Sequence, residues 1–157
     1  MRYYLSLGAN LGEREQTLRA AIRMIEQQIG KVLRCSSFYY SAPWGFASEH
    51  TFCNLCCAVE TTRAPHEVLS ITQTIERALG REKKSVNGHY SDRMIDIDLI
   101  LAFDEQGREI RNCDELLTLP HPLWQEREFV KVPLSEISDF PSSDASAVTL
   151  PPDFHER

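Results

Sequence analysis

The residues best suited to chemistry lie in one short run, DRMIDIDLI at 92–100, where Asp96 and Asp98 are two apart in an otherwise apolar segment that continues through Leu101, Ala102 and Phe103. Side chains alternate across a strand, so both carboxylates share one face while Ile95, Ile97 and Leu99 take the other. Roughly 7 Å then separates two like charges, which repel unless a cation or water intervenes. Mg²⁺ suits the first case, being held by one or two carboxylates plus substrate phosphates. The plain alternative is a solvent-facing strand whose aspartates keep it soluble.

Just upstream, Arg81, Lys83, Lys84, His89 and Arg93 fall within the 13 residues 81–93 of an otherwise acidic chain. Carboxylates for metal and cations for phosphate oxygens, joined by a Gly-containing loop, describe a magnesium-triphosphate site. Lys83 and Lys84 also fit a solvated charge run; Arg81 and Arg93, which bracket the loop, fit it less well. Asn54 is a lone amide in the apolar run FCNLCCAVE. It is either a core residue satisfied by backbone or a reader of the edge of a flat heterocycle. Trp44 and Phe129 can offer stacking faces or simply fill space. His121 and Arg127, in LPHPLWQERE, are structural contacts or phosphate ligands. Gly8-Ala9-Asn10-Leu11-Gly12 occupies the position of a phosphate loop but lacks its spacing and its lysine, so a tight turn is favoured.

These residues must be positioned by a regular framework. Tyr3 to Leu7 alternates as a strand. From Glu13 the pattern turns helical, with Leu18, Ala21, Ile22, Ile25 and Ile29 on one face, Asn10 with Glu13 as a capping pair, and Gly30 as the stop. Lys31 to Tyr40 is a second strand, closed by a loop from Ser41 to about His50. Phe52 to Thr61 is a third. Pro65 then opens a helix with Val68, Ile71, Ile75 and Leu79 on its face, ending at Gly80, and Ile95 to Phe103 is the fourth strand. The order β-α-β-β-α-β predicts a ferredoxin-like α/β (α+β) sandwich, one antiparallel sheet with both helices on one face and the Asp face open. An appendage follows, with a small hairpin near Arg108–Ile110, a short helix at Phe129–Ile137 and a Pro- and Ser-rich tail from Pro141 that has little to bury.

The chain's 157 residues, 42% hydrophobic and 25% charged, suit a single domain over 1–157. A net charge of −6 disfavours nucleic acid and anionic membrane, so a small ligand held by a local basic patch is the better expectation. With no secretory leader or long apolar run, a cytoplasmic protein is expected; a monomer is the default expectation. Of five cysteines, Cys53, Cys56 and Cys57 sit in the apolar run without zinc spacing, and buried free thiols are expected.

In order and approximate spacing, SLGANLG, SFYYSAPWG, FCNLCCAVE, IERALGRE, DRMIDIDLIL, LPHP and REFVKVPL resemble the 6-hydroxymethyl-7,8-dihydropterin pyrophosphokinase family over about residues 3–140. The resemblance implies transfer of the β,γ-diphosphate of ATP to the pterin hydroxymethyl group, with release of AMP, in folate biosynthesis. It implies that Asp96 and Asp98 hold two Mg²⁺ ions, that Arg93 binds phosphate and that Arg81 lies on a mobile loop. By the same resemblance Gln73, Glu76, Thr118, His121 and Arg127 line the ATP site; Lys83 and Lys84 are expected to join them on the charge of their loop alone. Ser41, Ala42 and Trp44 frame the pterin, Asn54 reads its edge, Phe52 neighbours it and Phe129 stacks on it.

Two departures stand out. The family's Trp and Pro before the paired aspartates are missing from His89-Tyr90-Ser91-Asp92-Arg93, and Pro122 follows His121 where some members carry an aromatic residue. Tyr90 stands where the Trp would, so its ring is expected to cap the bound substrates once the loop orders. Two other readings compete. A non-catalytic regulatory module would leave the aspartates and the basic loop without a purpose, and an ordinary kinase would release ADP instead of AMP.

Overall fold

The structure, a computed structural model, describes residues 1–42, 51–80 and 94–138. The first strand, β1, runs Arg2–Ala9, and helix α1 spans Arg14–Gln28. Strands β2 (Lys31–Cys35) and β3 (Tyr39–Ser41) follow, then β4 (Phe52–Glu60), helix α2 (Pro65–Ala78) and β5 (Asp96–Phe103). A short hairpin of β6 (Asn112–Cys113) and β7 (Thr118–Leu119) and helix α3 (Glu128–Ile137) complete the described chain. The sheet order is β2-β4-β1-β5, antiparallel throughout, with β3 also paired to β4. This is the ferredoxin-like order expected from the element pattern.

The helical stripe of α1 buries Leu18, Ala21, Ile22 and Ile25, and α2 buries Val68 and Ile75; together they cover Leu5, Leu7, Leu55, Cys57, Ile97 and Leu99 on one sheet face. Pro65 does open α2, at a position where its missing N–H costs nothing. Asn10 and Glu13 do not form the expected capping box. Glu13 is the N-cap and makes no side-chain cap bond, while Asn10 is buried.

Gly30 sets the exit from α1. A Cβ there would run into the Glu60 carbonyl oxygen and come within 2.7 Å of Thr61 Cβ. Backbone cannot yield as a side-chain tip can, so Gly30→Ala should cost about 1–3 kcal/mol, read as a lower denaturant midpoint with an unchanged slope.

Two expectations need correction. The single strand over Lys31–Tyr40 is broken at residues 36–38, because the Ser36 hydroxyl accepts the Cys56 N–H at 2.9 Å and Ser37 turns outward to Glu136. Side-chain oxygens take over the ladder there, and pairing resumes at Tyr39. The second correction concerns the face thought to be open. Helix α3 is no appendage: Val130, Leu134 and Ile137 build a second core there with Tyr4, Cys56, Ala58, Ile100 and Leu101. A register shift opposite Tyr4/Leu5 leaves Ile100 as an extra residue, so Ile100 and Leu101 both serve this core and strict alternation ends after Leu99. The carboxylate-bearing half of β5 lies just before that bulge. The small hairpin near residue 108 is present, with Gly107 at φ +81 in its turn and Glu109 bridged to Phe103; β6 and β7 were not foreseen.

Four of the five cysteines are buried and all five are free. Burial raises Cys53 to about 11 and Cys56 to about 12, which makes them poor nucleophiles and supports a packing role. No helix among the described residues is long and apolar enough to cross a membrane.

Candidate active site

The site is built across three neighbouring strands at one end of the sheet. Gly8 in β1 is paired with Asp96 on one side and Asn54 on the other; one step along, Ser6 lies between Asp98 and Cys56. Period-2 alternation places Asp96 and Asp98 on one face, as the sequence predicts, with Ile97 and Leu99 turned to the α1/α2 core; the strand pairing adds Asn54 to that face, which is the one α3 packs on. Two strand spacings, about 10 Å, separate the Asn54 and Asp96 backbones. That span is suited to one flat heterocycle beside a phosphate group.

Gly8 lies within β1 and not in the tight turn that the sequence favours over Gly8–Gly12; the turn is at Gly12, with φ +66. Its role is spatial. A Cβ on Gly8 would lie 2.9 Å from Asn54 Oδ1 and 3.5 Å from the Phe52 ring, so both side chains lean over the bare strand. A glycine inside a strand pattern signals close approach, and that signal was available in the sequence.

Asn54 is 2% exposed, and its Nδ2 donates to Tyr39 O and to Ser41 Oγ, both at 2.9 Å. Both amide hydrogens are thus spent on β3, and Oδ1 is the atom left to face a ligand. The side chain therefore offers its free side an acceptor alone, not the donor–acceptor pair its chemistry allows. Ser41 is thus spent on holding the Asn54 amide, and Ala42 beside it is exposed.

Arg127 is 4% exposed at the N-cap of α3, with Nη1 3.9 Å from Asp98 Oδ2 and its guanidinium 5.8 Å from the Phe129 ring centroid. Phe129, half-buried, packs against the α3 core. His121 is anchored by its backbone N–H to the O of Ile100, the bulge residue itself, at 2.9 Å. Its Nδ1 accepts the Leu123 N–H at 3.2 Å, which leaves the proton on Nε2 as a donor. Burial lowers the His121 pKa first, Arg127 lowers it further and Asp96 opposes them, so the three groups share one electrostatic field.

Glu76 is 5% exposed, and its Oε2 accepts the Ile97 N–H at 2.7 Å. Strand β5 is a sheet edge, and this carboxylate satisfies the backbone donor between the two aspartates. Gln73 is exposed on α2 and Thr118 half-buried in β7, each on an element packed against β5. Trp44, Arg81, Lys83, Lys84, Tyr90 and Arg93 lie outside the described residues, as do His89 and the tail from Pro141.

Among the described residues no three His, Cys, Asp or Glu side chains converge as a protein cage for a metal. Two carboxylates on one strand face fit a hard cation that takes its remaining ligands from phosphate and water.

The family model of 7,8-dihydro-6-hydroxymethylpterin-pyrophosphokinase matches residues 4–139. A Porphyromonas gingivalis protein described as 2-amino-4-hydroxy-6-hydroxymethyldihydropteridine pyrophosphokinase is 42% identical over 147 residues, spanning 94% of this chain and 97% of the relative. A Bacillus subtilis protein of the same description is 34% identical over 145 residues, spanning 92% and 82%. A crystal structure of HPPK-DHPS in complex with substrates superposes with a TM-score of 0.63 at 16% identity. That match covers 87% of this chain and 40% of the other, and bears on fold alone. This chain belongs to the 7,8-dihydro-6-hydroxymethylpterin-pyrophosphokinase family.

Proposed function

We propose that this chain transfers the β,γ-diphosphate of ATP to the hydroxymethyl oxygen of 6-hydroxymethyl-7,8-dihydropterin, with Asp96 and Asp98 as ligands of two Mg²⁺ ions. The observation that carries it is the juxtaposition, across Gly8 and Ser6, of those carboxylates with the Asn54 amide. The hydroxyl oxygen forms a bond to the β-phosphorus, the bond from that phosphorus to the α,β-bridging oxygen breaks, AMP leaves with the bridging oxygen, and the hydroxyl proton is lost. Bound Mg²⁺ supplies neutralisation of the charge that develops on the phosphate oxygens.

The protein's part is positioning and electrostatics. Arg127 and the Nε2–H of His121 donate to phosphate oxygens. Glu76 fixes the Ile97 amide and so keeps the two aspartates in register; Gln73 and Thr118 contact the nucleotide. Asn54 Oδ1 accepts from the heterocycle edge, Phe52 and Phe129 give it apolar faces, and Trp44 and Ala42 frame it. From the segment outside the described residues, Arg81, Lys83, Lys84 and Arg93 add positive charge and Tyr90 caps the substrates. One domain, as a monomer in the cytoplasm, carries the whole reaction.

Asn54→Leu should weaken pterin binding by roughly 1–3 kcal/mol and leave nucleotide affinity nearly unchanged, because it removes an acceptor on one substrate only. Calorimetric titration of each substrate checks this; a loss confined to the nucleotide would put Asn54 in the wrong half of the site. The function itself is tested by incubating the protein with ATP and the pterin, with Mg²⁺ or with a chelator. AMP should form only with the metal. ADP would indicate ordinary kinase chemistry on this scaffold, and turnover in the chelator would remove the metals from the account.

A further inference from the structure

Tyr40 stands between Tyr39 and Ser41, the two residues that hold the Asn54 amide, and its own side chain points the other way, towards α1. There its hydroxyl donates to Glu15 Oε2 at 2.7 Å, and the Arg14 guanidinium lies 5.5 Å from its ring centroid. Arg14 also donates to Thr51 O and Thr51 Oγ1, both at 2.8 Å, at the entry to β4. Arg14 Nη2 is 3.9 Å from Glu15 Oε2, which closes the network. The Tyr40 hydroxyl holds the Glu15 carboxyl below its usual range, so the acceptor is ionised at neutral pH.

We propose that Arg14, Glu15 and Tyr40 are positioning residues for the heterocycle: the first turn of α1 grips β3 and the start of β4 and thereby aims Asn54. Strand β3 has only three residues, paired to β4 at Tyr39↔Asn54, Tyr40↔Cys53 and Ser41↔Phe52. So short a strand is weakly held by its own ladder, and a side-chain anchor on its α1-facing side adds to the packing of α3 in fixing where its carbonyl and hydroxyl sit. Those two acceptors fix both hydrogens of Asn54 Nδ2, and with them the direction of Oδ1. Pterin affinity is therefore set partly from α1, by residues that touch no substrate. This rests on Asn54 being the pterin contact.

Titration of 6-hydroxymethyl-7,8-dihydropterin, with Mg²⁺ and a non-hydrolysable ATP analogue present to prevent turnover, tests the clamp. Tyr40→Phe and Glu15→Ala should each raise the pterin Kd roughly three- to tenfold, the equivalent of one lost hydrogen bond. The double variant should be no worse than either single one, since both remove the same contact. Glu15→Gln, whose amide oxygen still accepts the hydroxyl, should bind like the wild type, and nucleotide affinity should hold throughout. Wild-type pterin affinity in Tyr40→Phe, a parallel loss of nucleotide affinity, or Glu15→Gln behaving like Glu15→Ala would each overturn the clamp. Asn54→Leu measured alongside separates the two levels. If that variant loses pterin while Tyr40→Phe does not, only the clamp fails; if it binds pterin normally, the reading beneath it fails and the clamp with it.

Discussion

Alanine at either Asp96 or Asp98 should lower turnover by roughly 10²–10³-fold, the usual loss when one preorganised charge-stabilising group is removed. Neither carboxylate belongs to the core. Both lie half-buried on the α3 face, while the intervening Ile97 carries the packing on the other side. Removing Asp96 relieves the repulsion between the two, so that fold should persist with a melting transition close to that of the wild type, whereas Asp98→Ala also takes the carboxylate from the buried Arg127 and should melt lower. Activity is measured in saturating Mg²⁺ and in a metal titration. A shift of the titration to higher Mg²⁺ marks a lost metal ligand, and near-normal turnover with an unshifted titration would remove that aspartate from the metal site.

Arg127→Ala should cost a comparable factor in turnover, because a desolvated cation 3.9 Å from Asp98 is worth far more than the same charge in water. The variant also has a readout that needs no turnover. His121 is held below its ordinary pKa of about 6.5 by burial and then by Arg127, so the unfolded chain binds its proton more readily than the native one. The resulting stability is fully present above about pH 6.5 and is lost as pH falls from there through the lower folded value. Removing Arg127 removes the second of the two lowering causes. The His121 pKa, followed by NMR titration of its ring, should therefore rise in Arg127→Ala, and the acid-side stability loss should shrink. A His121 pKa that stays put or falls would mean the two residues do not share the site.

The framework and the heart of the site were legible because both rest on local periodicity. Alternation over Ile95–Leu99 places Asp96 and Asp98 on one face without any knowledge of the partner strands, and the helical stripes of α1 and α2 state which face they cover. What was not legible depends on pairing between distant residues. The bulge at Ile100 exists only relative to β1, so the run Ile100–Phe103 reads as uniform strand when it in fact feeds a second core under α3. The break after Cys35 is likewise invisible until Ser36 is seen to accept the Cys56 N–H twenty positions away. Asn54 shows the limit for side chains. Its residue type marks an anomaly in an apolar strand, but only its bonds to Tyr39 and Ser41 reveal that the acceptor alone remains for a ligand. Arg127 and His121, in an irregular segment with no period to read, become neighbours of the aspartates through the backbone bond from His121 to Ile100.

Transfer of an intact diphosphate is tested most directly by the fate of the middle phosphorus. With ATP labelled at the β-phosphorus, Mg²⁺ and 6-hydroxymethyl-7,8-dihydropterin, the label should appear in the pterin product in step with unlabelled AMP, and Asp96→Ala should slow both together. Label retained in a nucleotide, as ADP, while the pterin gains a single phosphate would contradict it.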